Sequence, residues 1–346
     1  MIIIDKKDFE LYRFAVAKII FLKEYSQEYT LLENIKESNC LLVKNAQRKL
    51  IISIFSKPNI SLENKGFHEP ILIYYQKPQY KKYNDKNRVS IYRMLTETFD
   101  KQYNEALNFA VLNPHEFINN NKELDFLLDE IKLNACIAYD TSGVLYKYYS
   151  ADKIKNNSYN VNDGIISFLN PKHFNDPFDC SCILSNNESI SDKFRVFCSI
   201  QDERNILMWS YYGSDHNGYC FKYSKHDIIS ALINSNINGL CIVGNVQYSD
   251  KRPNYKSQFN FLSYTNIKFL IDCTFTKYKK WEHEEEYRFV IISDFFRDDG
   301  NATTLKVNVN EVLSGCQGTS SSIIDSKHNA IPVKQLQKDD LEYKLV

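Results

Sequence analysis

Lys277-Tyr278-Lys279-Lys280-Trp281-Glu282-His283-Glu284-Glu285-Glu286-Tyr287-Arg288-Phe289-Val290-Ile291-Ile292 changes character halfway along. From Glu284 onward, Glu284, Glu286 and Arg288 share one parity and Glu285, Tyr287 and Phe289 the other, ahead of an apolar Val-Ile-Ile. A period of two is that of a strand, so the stretch predicts a strand entering a sheet with Glu284, Glu286 and Arg288 on one face. Two carboxylates at this spacing stand roughly 6.5–7 Å apart on a pleat and repel unless a cation or a substrate lies between them. Arg288 can be that cation. On spacing alone the segment reads as a solvent-exposed edge with an internal salt bridge, although carboxylate clusters of this kind also mark functional sites.

The 346 residues suffice for two domains at roughly 100–200 residues each. Forty-three acidic and 43 basic side chains cancel, which argues against a protein that wraps duplex nucleic acid or lies on an anionic membrane. A local basic groove stays open. Aromatics at 14% with few Gly and Pro supply ample core material, so a globular chain is expected throughout. The nine cysteines (Cys40, Cys136, Cys180, Cys182, Cys198, Cys220, Cys241, Cys273 and Cys316) form no C-x-x-C pair. Cys180 and Cys182 lack a second pair at a zinc-like distance, so the cysteines read as buried reduced thiols of a cytoplasmic protein, with no metal centre. Lys18 interrupts the most apolar N-terminal run, Phe14 to Leu22, and Asp5 and Glu10 precede it. Neither a signal peptide nor a membrane span is expected.

Phe9, Tyr12, Val16, Ile19 and Ile20 predict an amphipathic helix over about 8–25. The runs 49–55 and 70–75 read as strands, 80–88 as a loop, and Ile91 to Ala110 and Leu124 to Ile131 as helices. Residues 1–140 thus read as a mixed α/β or mostly helical domain without a catalytic constellation, and the polar Tyr139-Asp-Thr-Ser-Gly143 as the boundary. Over 144–346 short strands are predicted at 144–149, 164–169, 194–199, 219–223, 239–248, 287–293 and 304–309, with helices at 205–212, 225–234 and 256–273. That is an α+β domain on a curved, mainly antiparallel sheet with flanking helices.

Four signatures follow one another in this second domain. Leu145-Tyr146-Lys147-Tyr148-Tyr149 alternates polar and aromatic groups on a strand. Asn175-Asp176-Pro177-Phe178-Asp179 is a strong turn sequence, because Asn and Asp accept backbone hydrogen bonds and Pro fixes its φ. Trp209 and Tyr212 are one helical turn apart and read as core packing or as one wall of a site; His216-Asn217-Gly218 follows. The opening stretch is the fourth. Taken residue by residue, His173 and His216 read as structural histidines, Gly218 as a backbone conformation that other residues resist, and Arg288 as the partner of Glu286 or Asp179. Asp176 and Asp179 can tie that Arg to the turn.

In this order the four signatures resemble the bacterial domain-of-unknown-function family 2971, over about 144–346. More distantly, an opening Tyr-Lys-Tyr strand and a late Glu-x-Glu strand resemble the ADP-ribosyltransferases. That resemblance implies a transferase fold with NAD as substrate and a protein or nucleic-acid acceptor. Glu286 would stabilise the ribose cation, Glu284 would orient or deprotonate the acceptor, and Lys147 would contact a ribose or phosphate. Tyr148, Trp209 and Tyr212 would stack on nicotinamide or adenine, with Tyr146, Ser167, Asn175, Asp176 and Arg288 lining the site. Lys147 stands where those transferases carry His or Arg, and Ser167 is a loose counterpart of their Ser-Thr-Ser strand. Which of Glu282, Glu284, Glu285 and Glu286 faces the cleft depends on a register that spacing leaves open. The implied role is a toxin or antiviral-defence effector whose N-terminal domain senses or docks a regulatory partner.

Two other classes compete. In a metal-dependent nuclease, Asp176, Asp179, Glu284 and Glu286 would gather Mg²⁺ with Lys277 or Lys280 on the scissile phosphate. Against it, Tyr287 and Arg288 follow Glu286 where a Glu-x-Lys spacing is usual. In a binding module, Trp209, Tyr212 and the Lys277–Lys280 cluster would receive a nucleotide or nucleic-acid end without chemistry.

Overall fold

The computed structural model describes residues 2–9, 30–35, 40–44, 49–54, 71–73, 141–182, 189, 191–237, 239–253, 264–293, 296 and 302–346. The chain divides into two compact units, one of Met1–Lys7, Ile137–Phe259 and Thr265–Val346, the other of Asp8–Cys136 with Asn260–Tyr264. The first strand, β1 (Ile2–Asp5), belongs to the C-terminal unit. The assignment of residues 1–140 to one N-terminal domain is corrected to that extent.

In the other unit β2 (Thr30–Ile35), β3 (Cys40–Lys44), β4 (Lys49–Ile54) and β5 (Ile71–Ile73) form one sheet in that order, antiparallel except between β4 and β5. The β-branched, apolar runs predicted as strands at 49–55 and 70–75 appear here. The helices expected at 8–25, 91–110 and 124–131, and the 80–88 loop, lie outside the described residues.

The C-terminal unit continues with β6 (Val144–Tyr149), β7 (Ile165–Phe168), β8 (Phe194–Ile200), β9 (Tyr219–Ser224), β10 (Leu240–Asn245), β11 (Gln247–Ser249) and β12 (Thr276–Tyr278). It closes with β13 (Glu286–Ile292), β14 (Thr303–Lys306), β15 (Glu311–Ser314), β16 (Ser322–Ile324), β17 (Ala330–Pro332) and β18 (Lys334–Gln335). Helices α1 (Ala151–Lys155), α2 (Ile206–Tyr211), α3 (Lys225–Ile233) and α4 (Tyr264–Thr274) are interspersed. None of the described helices is long and apolar enough to cross a membrane. The unit is therefore α+β and sheet-rich, as the strand pattern predicts.

Eight strands make the central sheet in the order β1-β10-β13-β8-β6-β9-β15-β18, parallel at its two outer pairs and antiparallel between. All seven residues of β13 are buried. β13 is thus an interior strand, and the reading of a solvent-exposed edge is wrong: the apolar Val-Ile-Ile that follows Arg288 is long enough to be covered on both faces.

The period of two sorts each strand between two cores. Tyr287, Phe289 and Ile291 share one face with Phe197, Leu145, Tyr149, Phe221 and Tyr223 in the larger core. Tyr146, Tyr148, Ile200 and Trp209 belong to the smaller core on the other face. Cross-strand partners point the same way, so the pairs Glu286↔Ile200 and Tyr146↔Ile200 put Glu286, and Arg288 two residues on, on the smaller-core side. Lys147 pairs with Phe221 and its ammonium lies 5.6 Å from the Phe197 ring centre, which places it on the larger-core side.

Gly218 is required by space. A Cβ there would meet the Tyr149 carbonyl oxygen at 2.5 Å and the Gly213 carbonyl carbon at 2.8 Å. Its φ is not among the positive values, so close backbone approach replaces the conformational reason expected from sequence.

Ile3 is 2% exposed and joins the larger core. Ile3→Ala should lower unfolding stability by about 2–4 kcal/mol, against about 0.5 kcal/mol or less for Ile324→Ala, which is 49% exposed. Urea unfolding followed by circular dichroism checks this, and equal effects at the two positions would remove β1 from the sheet.

Candidate functional site

The charged face of β13 is the centre of a buried ionic network. Arg288 is fully buried and forms a two-pronged pair with Asp179, Nη1 to Oδ1 at 2.9 Å and Nη2 to Oδ2 at 2.6 Å. Its Nε donates to Glu286 Oε2 at 2.6 Å, and Nη1 also donates to the Thr274 carbonyl at 2.8 Å and meets Cys180 Sγ at 3.0 Å. Lys277 Nζ donates to Glu286 Oε1 at 2.5 Å and to Glu284 Oε2, with Asp179 Oδ2 at 3.6 Å. The Tyr212 hydroxyl donates to Glu284 Oε1 at 2.7 Å.

Local structure explains each position. Asp179 is delivered by the Asn-Asp-Pro turn, in which Asp176 Oδ1 accepts from the Phe178 amide at 2.9 Å and the Asp179 amide donates to the Asp176 carbonyl at 3.2 Å. Lys277 sits on β12 opposite Tyr248 of β11, whose hydroxyl accepts the Glu286 amide at 2.9 Å. Glu284 is not in the strand. It ends a 3₁₀ turn over Lys279–Glu284, and Glu285 takes a left-handed φ of 46° before β13 begins. The turn nevertheless returns the Glu284 carboxyl to the lysine that binds Glu286. Sequence spacing called the convergence correctly for a wrong reason.

Three carboxylates face two cations, leaving one negative charge unless a proton is held. Burial, then the hydrogen bond and charge of Glu286, push the Glu284 carboxyl up to about 7 against the pull of Lys277. Glu286 has the opposite fate. Burial opposes its charge, but Arg288 and Lys277 outweigh burial and hold it well below the usual carboxylate range. Burial likewise opposes the Lys277 charge, and Glu286, Asp179 and Glu284 overcome it, keeping the ammonium protonated. Of the two glutamates, Glu284 is therefore the one that takes up a proton as pH falls through about 7.

A chain of aromatic rings leads away from Lys277. The Trp281 ring lies 5.1 Å from Lys277 Nζ, and His283 has ring centres of Trp281 at 6.1 Å and Tyr211 at 5.8 Å. Asn205 holds the turn by donating to the His283 carbonyl at 2.6 Å. A cleft beside the network is lined by Asp176, Ser249, Arg252, Thr276 and Lys277, among others.

The other expected residues are distributed differently. Tyr212, Glu284, Glu286 and Arg288 come together, with Asn175 beside the Tyr212 hydroxyl. Trp209 and Tyr148 do not line a wall: Trp209 is fully buried, meets Tyr148 edge-on at 4.9 Å and donates to the Glu203 carbonyl. Tyr146 is buried in the same core, beside Glu203. Ser167 lies on β7, which pairs with β14 in a separate two-stranded sheet, and Lys147 is across the central sheet from Glu286. Asp176 caps its own turn. Lys277, named in sequence for the nuclease and binding-module readings, and Asp179, named for the nuclease reading and as a structural tie, are central. Their signal was charge beside the two strongest motifs.

Two outcomes are expected. Arg288→Met strands Asp179 and Glu286 as buried charges, and should lower stability by about 3–5 kcal/mol, measured by urea unfolding at neutral pH. The raised Glu284 pKa means the folded state binds the proton more tightly than the unfolded one between pH 4.5 and about 7. Stability should therefore fall as pH rises through that window, by up to about 3 kcal/mol from this group. Glu284→Gln should flatten the slope.

No curated protein and no solved structure matches the chain. Residues 208–289, which carry Tyr212, Lys277, Glu284, Glu286 and Arg288, match the model of a family described as protein of unknown function (DUF2971).

Proposed function

We propose that the C-terminal unit is an NAD-dependent ADP-ribosyltransferase-like enzyme in which Glu284, rather than Glu286, moves the proton. The observation that carries this reading is a buried carboxyl, Glu284, held between the Tyr212 hydroxyl and Lys277, an environment that pushes its pKa up to about 7. A general base is most useful when its pKa lies near the working pH. Glu286 is bound by two cations, Lys277 and Arg288, which hold it ionised as a charge that positions its neighbours, whereas Glu284 is bound by one cation and a neutral phenol.

The residues suit such a substrate in two respects and not in a third. Tyr211, His283 and Trp281 offer faces on which nicotinamide or adenine stacks. Glu284 offers a carboxyl for the acceptor's proton. Lys147, on the far side of the sheet, has no part in it. In the proposed reaction the bond between ribose and nicotinamide breaks, its electron pair leaves with neutral nicotinamide, and the ribose carbon becomes cationic. An acceptor hydroxyl or amine on a protein or nucleic acid attacks that carbon and gives its proton to Glu284. The negative charge of the network stabilises the cation as it forms.

The donor chemistry favours this over a metal-dependent nuclease. Asp179 and Glu286, which that reading would give to Mg²⁺, spend all four oxygens on Arg288 and Lys277. The biological role that goes with the proposal is a cytoplasmic toxin or antiviral-defence effector, with the unit over 8–136 docking or sensing a partner.

Purified protein is incubated with NAD and cell extract, and nicotinamide release and ADP-ribose attachment are followed by mass spectrometry. Release should fall at least about a hundredfold in Glu284→Gln and about tenfold in Tyr212→Phe. In the wild type it should decline as pH drops below about 7. Release unaffected by Glu284→Gln would reject the assigned base. No release at all, with NAD retained in a binding assay, would favour the binding module.

A further inference from the structure

The network at β13 leaves one chemically equipped cluster unused. His216, which follows α2, is half-buried between Ser210 and Cys316. Its Nε2 lies 3.2 Å from Ser210 Oγ and its Nδ1 3.8 Å from Cys316 Sγ. Ser210 gives its single hydroxyl proton to the Ile206 carbonyl at 3.1 Å. The oxygen facing His216 is therefore an acceptor, so Nε2 carries the ring proton and Nδ1 turns a lone pair toward the thiol. A nucleophile, a base in reach and a third group that fixes the base's tautomer is the arrangement of an activated nucleophile.

The backbone around the pair is built for this contact. Ser214, Asp215 and His216 have φ of 48°, 50° and 66°, three consecutive left-handed residues without a glycine. Such conformations persist where the surroundings enforce them, and they gather at functional positions. Here the Gly315 amide donates to the Gly218 carbonyl at 3.1 Å and the Gln317 amide to the His216 carbonyl at 3.0 Å, clamping the Cys316 turn onto the histidine loop. A Cβ at position 315 would meet the His216 carbonyl oxygen at 2.2 Å, so only glycine lets the two backbones approach this closely.

Accessibility sets Cys316 and Cys198 apart from the other described thiols, and their surroundings set them apart from each other. Among the cysteines whose side chains are described, Cys180, Cys182, Cys220, Cys241 and Cys273 are buried, and Cys198 and Cys316 are half-buried. Burial and then Glu286 push the Cys198 thiol up to about 12. Burial, then the charge of Lys338, lowers the pKa of His216 against Asp215, so the imidazole is neutral and able to accept a proton at neutral pH.

We infer that Cys316 and His216 form a second, nucleophilic site on this protein, whose co-reactant is a small soluble disulfide and whose product is a mixed disulfide at Cys316. Cys316 transfers its proton to His216 Nδ1, and the thiolate sulfur attacks one sulfur of the incoming disulfide. That S–S bond breaks, and the departing thiolate takes the proton from Nδ1. One disulfide and one thiol enter, and one disulfide and one thiol leave, with no further oxidant. The exchange needs a thiol with a base in reach and access to solvent; the His216 contact and the half-buried position of Cys316 supply these, and the exchange does not depend on the reaction proposed for Glu284.

The test treats the folded full-length protein with oxidised glutathione or dithiodipyridine at neutral pH and maps modified cysteines by peptide mass spectrometry over time. Cys316 should be modified at least about tenfold faster than Cys198. His216→Asn, which tolerates the left-handed backbone, should slow Cys316 by about tenfold, and Ser210→Ala by about threefold. General loosening of the fold would speed the buried cysteines, so a selective slowing at Cys316 reports the missing base. If Cys316 reacts no faster than Cys198, or if both variants leave its rate unchanged, the inference is wrong.

Discussion

The structure of the C-terminal unit depends on the need to neutralise Arg288. A guanidinium on an interior strand, with no surface left to water, is tolerated only with its donors paired. Asp179 supplies two oxygens from a turn 109 residues earlier, Glu286 a third, and the Thr274 carbonyl a fourth from the end of α4. Two remote segments are thereby held at one point of the sheet. Buried ion pairs are weak evidence for net stability, since apolar replacements of similar shape often do as well. Their contribution here is to geometry: wherever Arg288 is satisfied, the Asn-Asp-Pro turn and the last turn of α4 have one permitted place.

The same strand separates structure from chemistry by parity. Tyr287, Phe289 and Ile291 join the larger apolar core, while Glu286 and Arg288 project to the other side. Lys147 and Phe197 fall with the first set and Tyr146, Tyr148 and Trp209 with the second. A one-residue slip of β13 would drive both charges into the larger core, so the apolar face fixes the register of the charged one.

Much of the sheet was legible in sequence because its strands are short, β-branched and aromatic runs with clear breaks. Val144–Tyr149 was predicted to the residue, and Arg288 was matched to Glu286 and Asp179 on charge alone. The misreadings have physical causes. Glu284 keeps strand parity in sequence but sits in a 3₁₀ turn, because Glu285 adopts a left-handed backbone that the alternation does not reveal. Lys147 was grouped with Glu286 because an opening strand by a late strand suggests a shared cleft, whereas the face of a side chain depends on register across β8. The core packing read for Trp209 from spacing is what the structure shows, whereas the stacking role that the transferase resemblance implied for Trp209 and Tyr148 does not fit, because ring chemistry is the same in a core and a site. Burial alone distinguishes them.

The two glutamates show how one cation pair can assign different roles to identical side chains. Each touches Lys277, yet only Glu286 also touches Arg288, so two positive charges hold its proton off. Glu284 has one cation and a phenol, and burial prevails. Environments that drive neighbouring carboxyls apart in this way mark one as a fixed charge and the other as a proton carrier. The family segment 208–289 contains both glutamates, Lys277 and Arg288 but not Asp179. Asp179 completes the neutralisation of Arg288 from outside the segment, and without it Arg288 would draw on Glu286 alone. Through its two-pronged pair with Arg288, buried Asp179 makes the Asn-Asp-Pro-Phe-Asp turn part of the network, although Asn175, Pro177 and Phe178 of that turn are exposed.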